Sequence, residues 1–263
     1  MPGTDLSLLI DAARKSGDIA KSFFQNAPKV TDKPDGAGPV TEADIAVNAM
    51  LEDMLQPARP DYGWLSEETE DGAERLGTTR QFVIDPIDGT RAFIEGSKDW
   101  AHSLAIVEDG VPIAAAIYLP MRDLMFGAEI GAGATCNTAA ISVADPHVTD
   151  ATLLGAKVNL EPRYWKQGQV PPVKRTFRSS LAYRLALVAQ GRFDGMMTFR
   201  PSWEWDIAAG ALITAEAGAT ITDQHNQPLR FNNPHPQVPG VFVAGPNLHA
   251  DLAARLEPQP PKA

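Results

Sequence analysis

Two aspartates stand three residues apart at the end of an apolar run, in the segment VIDPIDGT at residues 83–90. The apolar run predicts a strand, and Pro86 and Gly89 predict the tight turn that ends it. Asp85 and Asp88 would converge in such a turn, and their charges repel each other unless a cation or a shared proton separates them. Mg²⁺ takes one or two carboxylates together with waters and phosphate oxygens. The segment therefore suits metal-dependent chemistry on a phosphate ester.

Further acidic residues stand at the predicted ends of other elements. Glu67 and Glu68 follow the strand-like segment WLS, Asp44 falls in the first turn of a predicted helix, and Asp206 opens an alanine-rich helix. Taken singly, Asp44 and Asp206 could be favourable charges at helix N-termini, and Glu67 could be an exposed charge at a strand end. Their order along the chain, together with the paired aspartates, favours a shared carboxylate site.

The sequence argues against two other catalytic interpretations. A covalent aspartyl-phosphate mechanism needs aspartates at i and i+2, with the first as nucleophile. The residue two positions before Asp88 is Pro86, which excludes that mechanism. His102 could protonate a leaving group, but its place on an apolar strand favours a buried core histidine.

The elements that must position these residues are visible in the sequence pattern. Thr41 predicts the N-cap of a helix, with Asp44 three residues on as in a capping box. The dipeptide Asp109-Gly110 predicts a hairpin between two strands. In the second half, strands alternate with helices predicted at 180–191 and 206–219, which indicates an α/β arrangement.

The order of these motifs resembles the inositol monophosphatase superfamily of Mg²⁺-dependent, lithium-sensitive phosphomonoesterases. Four segments carry the resemblance, which covers nearly the whole chain: PVTEAD (39–44), LSEE (65–68), VIDPIDGT (83–90) and WDIAAG (205–210). It implies an α+β fold, a layered α-β-α-β-α sandwich. An N-terminal α+β half (1–145) would carry most metal ligands, and a C-terminal α/β half (146–263) would supply Asp206 and the substrate rim.

The resemblance implies two or three Mg²⁺ ions. One would be held by Glu67, Asp85 and the carbonyl of Ile87. A second would be held by Asp85, Asp88 and Asp206, and a third, weaker ion by Glu67 with water. Multi-metal sites of this kind activate a water for in-line attack on phosphorus and stabilise the leaving oxygen.

It also implies catalytic and phosphate-binding residues. Glu67 and Thr90 would orient the attacking water, and Asp44 would keep the Thr90 hydroxyl in place through a hydrogen bond. Backbone N–H groups of Gly89, Thr90 and Arg91 would bind the phosphate at the start of a helix.

The choice of substrate would depend on the rim of the site. Inositol phosphatases typically carry a glutamate seven residues before the aspartate of W-D, where this chain has Phe199, followed by Arg200. An arginine can bind a second phosphate, and an aromatic ring can stack on a base. Arg200, Lys33 and Ser179 are the candidate substrate contacts. The alternatives are a core position for Phe199, an ion pair between Arg200 and Glu204, and a solvated loop lysine at Lys33.

The stretches DGTRAFIEG (88–96) and RSSLAYRLALVAQG (178–191) also resemble bacterial 3′(2′),5′-bisphosphate nucleotidases, which makes a bisphosphonucleotide phosphatase the favoured function. Inositol-1-monophosphatase and histidinol-phosphatase are alternatives, and a regulatory protein that retains the fold is the non-enzymatic one. Because every predicted ligand is present, the enzyme is favoured.

Composition limits the partners of the chain. A net charge of −10 over 263 residues disfavours a nucleic-acid polymer. A small phosphorylated substrate stays possible because bound cations reverse the local sign of charge. The single cysteine, Cys136, excludes an internal disulfide. The sequence shows no signal peptide and no run of apolar residues long enough to span a membrane, so we expect a cytoplasmic protein. A homodimer is possible, since relatives often form one.

Overall fold

The computed structural model describes residues 4–33 and 38–257. Its helices are α1 (Asp5–Phe23), α2 (Glu42–Ala58), α3 (Thr90–Ile94), α4 (Leu181–Ala189), α5 (Glu204–Glu216) and α6 (Pro246–Arg255). The first strands are β1 (Val30–Asp32), β2 (Pro39–Thr41), β3 (Gly63–Ser66), β4 (Arg80–Asp88), β5 (Ala101–Glu108), β6 (Val111–Leu119), β7 (Leu124–Glu129), β8 (Ala134–Cys136) and β9 (Ala139–Ala140). The later strands are β10 (Thr152–Leu154), β11 (Lys174–Thr176), β12 (Gly195–Thr198), β13 (Ser202–Trp203), β14 (Thr220–Thr222), β15 (Gln237–Val238) and β16 (Val241–Ala244).

Strands β3 to β9 form one sheet, in chain order from edge to edge. β3 and β4 are parallel, and the other neighbours are antiparallel. The hairpin from β5 to β6 turns at Asp109 and Gly110, whose φ angles are 48° and 82°. Positive φ at both central residues is what a type I′ turn requires, so the dipeptide forms the hairpin that the sequence predicts.

A second sheet has five strands in the order β11-β10-β12-β16-β14. β10 is parallel to β11 and β12, whereas β16 is antiparallel to β12 and β14. The predicted division of the chain at residues 145 and 146 falls between β9 and β10, the strands that end one sheet and begin the other. Residues of both sheets belong to one hydrophobic core, so the division into two domains stays a prediction.

The elements stack in five layers. α1 and α2 pack on one face of the seven-stranded sheet, α4 and α5 lie between the two sheets, and α6 packs against β16 of the five-stranded sheet. α4 carries only buried residues, as a helix that is covered on all sides should. This is the predicted α-β-α-β-α sandwich. In the described ranges, no helix has the length and apolar character needed to cross a membrane.

Candidate active site

The paired aspartates lie where β4 ends. The pairing of β4 with β5 shifts between Asp85 and Asp88, an irregularity that re-aims side chains at the end of a strand. Gly89 follows with φ of 100°, and a Cβ at this position would meet the carbonyl oxygen of Asp99 at 3.2 Å. Only glycine adopts this conformation without strain. α3 begins at Thr90, and the N–H groups in the first turn of a helix have no partner within the helix.

Three carboxylates from different elements meet at this turn. Glu67 follows β3, Asp85 lies in β4, and Asp206 lies in the first turn of α5. One carboxylate oxygen from each lies within 4.8 Å of the others. Asp85 Oδ1 is buried and has no hydrogen-bond partner among the described residues. Burial, followed by the charge of the neighbouring carboxylates, raises the pKa of Asp85 and of Asp206 well above the usual range.

A divalent cation fits this cluster. The oxygen ligands that Mg²⁺ prefers are present. A bound cation would give the buried Asp85 Oδ1 a partner, and its positive charge would offset the repulsion that helps to raise the pKa values of Asp85 and Asp206. The chain thus brings Glu67, Asp85 and Asp206 together as a candidate metal centre.

Asp88 lies outside this three-carboxylate cluster and is bound to the N-terminus of α4. Its Oδ2 accepts hydrogen bonds from the Ser180 hydroxyl and the Ala182 N–H, both at 2.6 Å. Burial raises the pKa of Asp88 to about 6, although these hydrogen bonds lower it. Ser180 has φ of 65°, an uncommon conformation for a non-glycine residue. Ser180 therefore holds this carboxylate, and the substrate contact predicted for its neighbour Ser179 stays a prediction.

The hydroxyl of Thr90 lies between two acceptors. Its Oγ1 is 3.2 Å from Asp44 Oδ1 and 3.2 Å from the carbonyl oxygen of Ile87. Asp44 is fully buried in α2, and its Oδ2 accepts from the N–H and the hydroxyl of Thr41 at 2.9 and 2.6 Å. This capping box fixes the carboxylate, so Asp44 can hold the Thr90 hydroxyl as the resemblance implies.

Lys33 binds the acidic pair that follows β3. Its Nζ lies 2.8 Å from Glu67 Oε1 and 2.8 Å from Glu68 Oε1, and its side chain is 16% exposed. Burial lowers the pKa of Lys33, but the two carboxylates outweigh that effect and the pKa is raised. Burial also raises the pKa of Glu68 to about 7. The alternative of a solvated loop lysine is therefore wrong.

A cleft of about 380 Å³ lies in the second half of the chain, and two arginines of its lining interact electrostatically with Asp206. Its lining includes Tyr164, Phe177, Arg184, Thr198, Phe199 and Arg200. Phe199 is 8% exposed with its ring 4.9 Å from that of Tyr164, so it belongs to the core as well as to the wall of the cleft. Arg200 is exposed, and its charge lowers the pKa of Asp206.

Sequence reasoning missed Arg184. It is 8% exposed, its Nε donates to the Arg178 carbonyl at 2.5 Å, and its guanidinium lies 4.2 Å from the centre of the Phe177 ring. Burial lowers its pKa to about 10, while the charges of Asp88 and Asp206 raise it. The sequence signals were the stretch RSSLAYRLALVAQG (178–191), which contains it, and the presence of an arginine within the otherwise apolar helix LAYRLALVA.

Two side-chain alternatives are decided by the contacts. Glu204 does not pair with Arg200, because it is fully buried and accepts hydrogen bonds from Asn232 and Asn233. His102 is fully buried, its Nδ1 contacts the carbonyl of Pro86, and burial lowers its pKa to about 4. It is a neutral core histidine, as the sequence favours.

Comparison with known proteins agrees with the fold and the motifs. The model of the inositol monophosphatase family matches residues 4–259. An inositol-1-monophosphatase of Rhizobium meliloti (strain 1021) is 32% identical, over 83% of this chain and 85% of that protein. The 3′(2′),5′-bisphosphate nucleotidase CysQ of Escherichia coli O157:H7 is 31% identical, over 86% and 93%. A crystal structure of the extragenic suppressor protein suhB from Bartonella henselae has a TM-score of 0.79 at 26% identity, over 94% of this chain and 96% of that one. The chain belongs to the inositol monophosphatase family of Mg²⁺-dependent phosphatases, hydrolases that act on phosphoric monoesters.

Proposed function

We propose that this phosphatase hydrolyses a 3′(2′),5′-bisphosphonucleotide, with two or three Mg²⁺ ions bound by Glu67, Asp85, the Ile87 carbonyl, Asp88 and Asp206. The cluster of Glu67, Asp85 and Asp206 within 4.8 Å, with its unpaired buried oxygen, supports the metal assignment. When bound, divalent cations lower the pKa of water and stabilise negative charge on phosphate oxygens.

The chain's own groups orient the reactants. The Thr90 hydroxyl, held by Asp44, and the Glu67 carboxylate would orient the attacking water. The N–H groups of Gly89, Thr90 and Arg91 would bind the phosphate oxygens at the start of α3. The Lys33 ammonium neutralises part of the acidic charge that would otherwise repel the phosphate.

The cleft beside Asp206 supports the choice of substrate. A cyclic polyol such as inositol is neutral, whereas this cleft offers Arg184, Arg200 and the ring of Phe177, which is 48% exposed. Arg184 uses only its Nε in the hydrogen bonds of the described residues, so its two terminal amino groups are free to bind a second phosphate bidentately. Arg200 lowers the pKa of Arg184, and an anion between them would relieve that repulsion. The exposed ring can stack on a base.

A comparison of kcat/KM values for three substrates tests the proposal. We expect kcat/KM with Mg²⁺ to be highest for 3′-phosphoadenosine 5′-phosphate, compared with inositol 1-phosphate and histidinol phosphate. Arg184→Gln should lower kcat/KM for the bisphosphate roughly 10- to 100-fold, the value of a charge-assisted hydrogen bond, and should leave inositol 1-phosphate within about threefold. Arg192→Gln, at an exposed arginine outside the cleft lining, is the charge-matched control.

Two results would contradict the proposal. One is a preference for inositol 1-phosphate or histidinol phosphate, which would favour the corresponding alternative. The other is an equal loss on all three substrates in Arg184→Gln, which would mean that Arg184 supports the fold or the metals rather than a second phosphate.

A further inference from the structure

A buried arginine joins two distant parts of the chain. Arg75 is 3% exposed and lies in a short 3-10 helix, Ala73–Gly77. Its Nε and Nη2 donate to the two carboxylate oxygens of Asp71 at 2.6 and 2.8 Å. Its Nη1 donates to Asn232 Oδ1 at 2.6 Å, and its Nη2 to the Asn233 carbonyl at 3.0 Å. One rigid guanidinium thus binds residues more than 150 positions apart in sequence.

Asn232 and Asn233, called the asparagine turn below, also bind a buried glutamate. Glu204, the first residue of α5, is fully buried. Its Oε2 accepts from the Asn232 N–H at 2.7 Å, and its Oε1 accepts from the N–H and the Nδ2 of Asn233 at 2.9 and 2.7 Å. Burial raises the pKa of Glu204, and these hydrogen bonds together with the charge of Arg75 lower it. The asparagine turn therefore connects a buried cation to a buried anion.

Each end of this network lies close in sequence to a candidate metal ligand. Asp71 follows Glu67 by four residues, and Glu204 precedes Asp206 by two. Glu67 belongs to the segment that follows β3 in the seven-stranded sheet, and Asp206 to the central helix α5. The network therefore spans the two elements that must bring these carboxylates to one ion.

We propose that Asp71, Arg75 and Glu204, joined through Asn232 and Asn233, form a strut that sets the separation of Glu67 and Asp206 and with it the affinity for divalent cations. The inference rests on the metal-binding role proposed above for those two carboxylates. Arg75 hydrogen-bonds to Asp71, Asn232 and Asn233 and not to the candidate metal ligands, so it would act as a positioning residue. A metal site tolerates errors of only about 0.2 Å in ligand distance, so ligands on separate elements need rigid support.

A purely structural role is the competing explanation. Buried ionic groups are weak evidence for stability, because apolar residues of similar volume often stabilise a fold as well or better. Fold stability alone therefore does not account for a network of two buried charges and two asparagines. Metal affinity separates the two explanations, because a structural residue would change unfolding without changing the affinity of the folded protein.

Calorimetric titration of the full chain with Mg²⁺ tests the strut. Arg75→Lys keeps the charge but cannot bind Asp71 and the asparagine turn at the same time, and Asp71→Asn keeps the shape but removes the charge. Both variants should weaken Mg²⁺ binding about tenfold or more, as changes to groups that orient metal ligands do. In phosphatase assays the half-saturating Mg²⁺ concentration should rise, while kcat at saturating Mg²⁺ stays near the wild-type value.

Leu9→Ala is the matched control, because it removes a fully buried side chain from α1 and lowers the thermal midpoint without touching the network. It should leave the Kd for Mg²⁺ unchanged. Unchanged Kd in both strut variants would overturn the inference, even if their thermal midpoints fall. If the wild-type chain binds no Mg²⁺, the proposed metal site fails first, so the two failures can be told apart.

Discussion

Lowering the pH should weaken the affinity of this protein for Mg²⁺, and the carboxylates of the site allow the size of the effect to be worked out. Burial raises the pKa of Asp88 from 3.8 to about 6, and raises those of Asp85 and Asp206 well above their usual range. At pH 5 the metal-free site therefore holds protons that a cation must displace, because only ionised carboxylates bind a metal.

The magnitude follows from the pKa of Asp88. A group with a pKa of about 6 is protonated roughly ten times more often than not at pH 5, and almost fully ionised at pH 7.5. Proton competition at Asp88 alone should therefore raise the apparent Kd for Mg²⁺ about tenfold between pH 7.5 and pH 5, which is about 1.4 kcal/mol. Asp85 and Asp206 shift in the same direction, so the observed change should be at least this large.

The same carboxylate affects stability with a definite sign. In the unfolded chain Asp88 gives up its proton near its ordinary pKa of 3.8, whereas in the folded, metal-free protein it does so near 6. In the metal-free protein, Asp88 therefore lowers the free energy of unfolding as the pH rises from about 4 through about 6. Bound Mg²⁺ should offset that loss at pH 7.5.

Titration calorimetry at pH 5.0 and 7.5, in pairs of buffers with different ionisation enthalpies, measures both the Kd and the number of protons released. We expect net proton release at pH 5.0 and almost none from Asp88 at pH 7.5. Asp88→Asn removes the protons that Asp88 releases and should flatten the pH dependence of the Kd for Mg²⁺. Equal Kd at both pH values, with no proton release, would show that Asp85, Asp88 and Asp206 do not bind the metal as proposed.

Two further predictions concern single side chains near the turn. Thr90→Val should lower kcat by about 100-fold or more while changing the free energy of unfolding by no more than about 1 kcal/mol. Thr90→Ser should recover activity, because the serine hydroxyl can again donate to Asp44. Equal activity in the valine and serine variants would contradict a role for the hydroxyl. His102→Gln should leave the pH profile of kcat/KM unchanged, because the buried ring with a pKa of about 4 is already neutral at the working pH. Loss of an ionisation step from that profile in the variant would instead indicate a catalytic role for His102.

Much of the first half of the site could be predicted because it lies in one continuous turn. Asp85, Asp88 and Gly89 lie within five consecutive residues, so local rules for strand ends and turns place them. The contact between Thr90 and Asp44 spans 46 positions and followed only from the resemblance to a family. Residues that meet across that distance are brought together by packing, which sequence pattern does not encode directly.

The substrate rim shows why local pattern was insufficient there. The spacing of Arg200 and Glu204 suggests an ion pair of the kind that forms along a helix. However, α5 begins only at Glu204, so the two residues share no helical face, and Glu204 is held by the asparagine turn instead. Arg184 lies in a buried helix, and which side of that helix meets the cleft depends on how α4 packs against Asp88.

The charges around the site link the binding of metal to the binding of substrate. Without a cation, the cluster of Glu67, Asp85 and Asp206 would repel a phosphate, and Lys33 forms an ion pair with only Glu67 of the three. Arg184 and Arg200 line the cleft, where they can hold a second anionic group. A cation must therefore raise the affinity for the phosphate ester, and because linkage is reciprocal, the ester must raise the affinity for the cation by the same factor. We therefore expect the acidic cluster and the basic cleft to act as one binding site, in which a bound cation and a bound anion each favour the binding of the other.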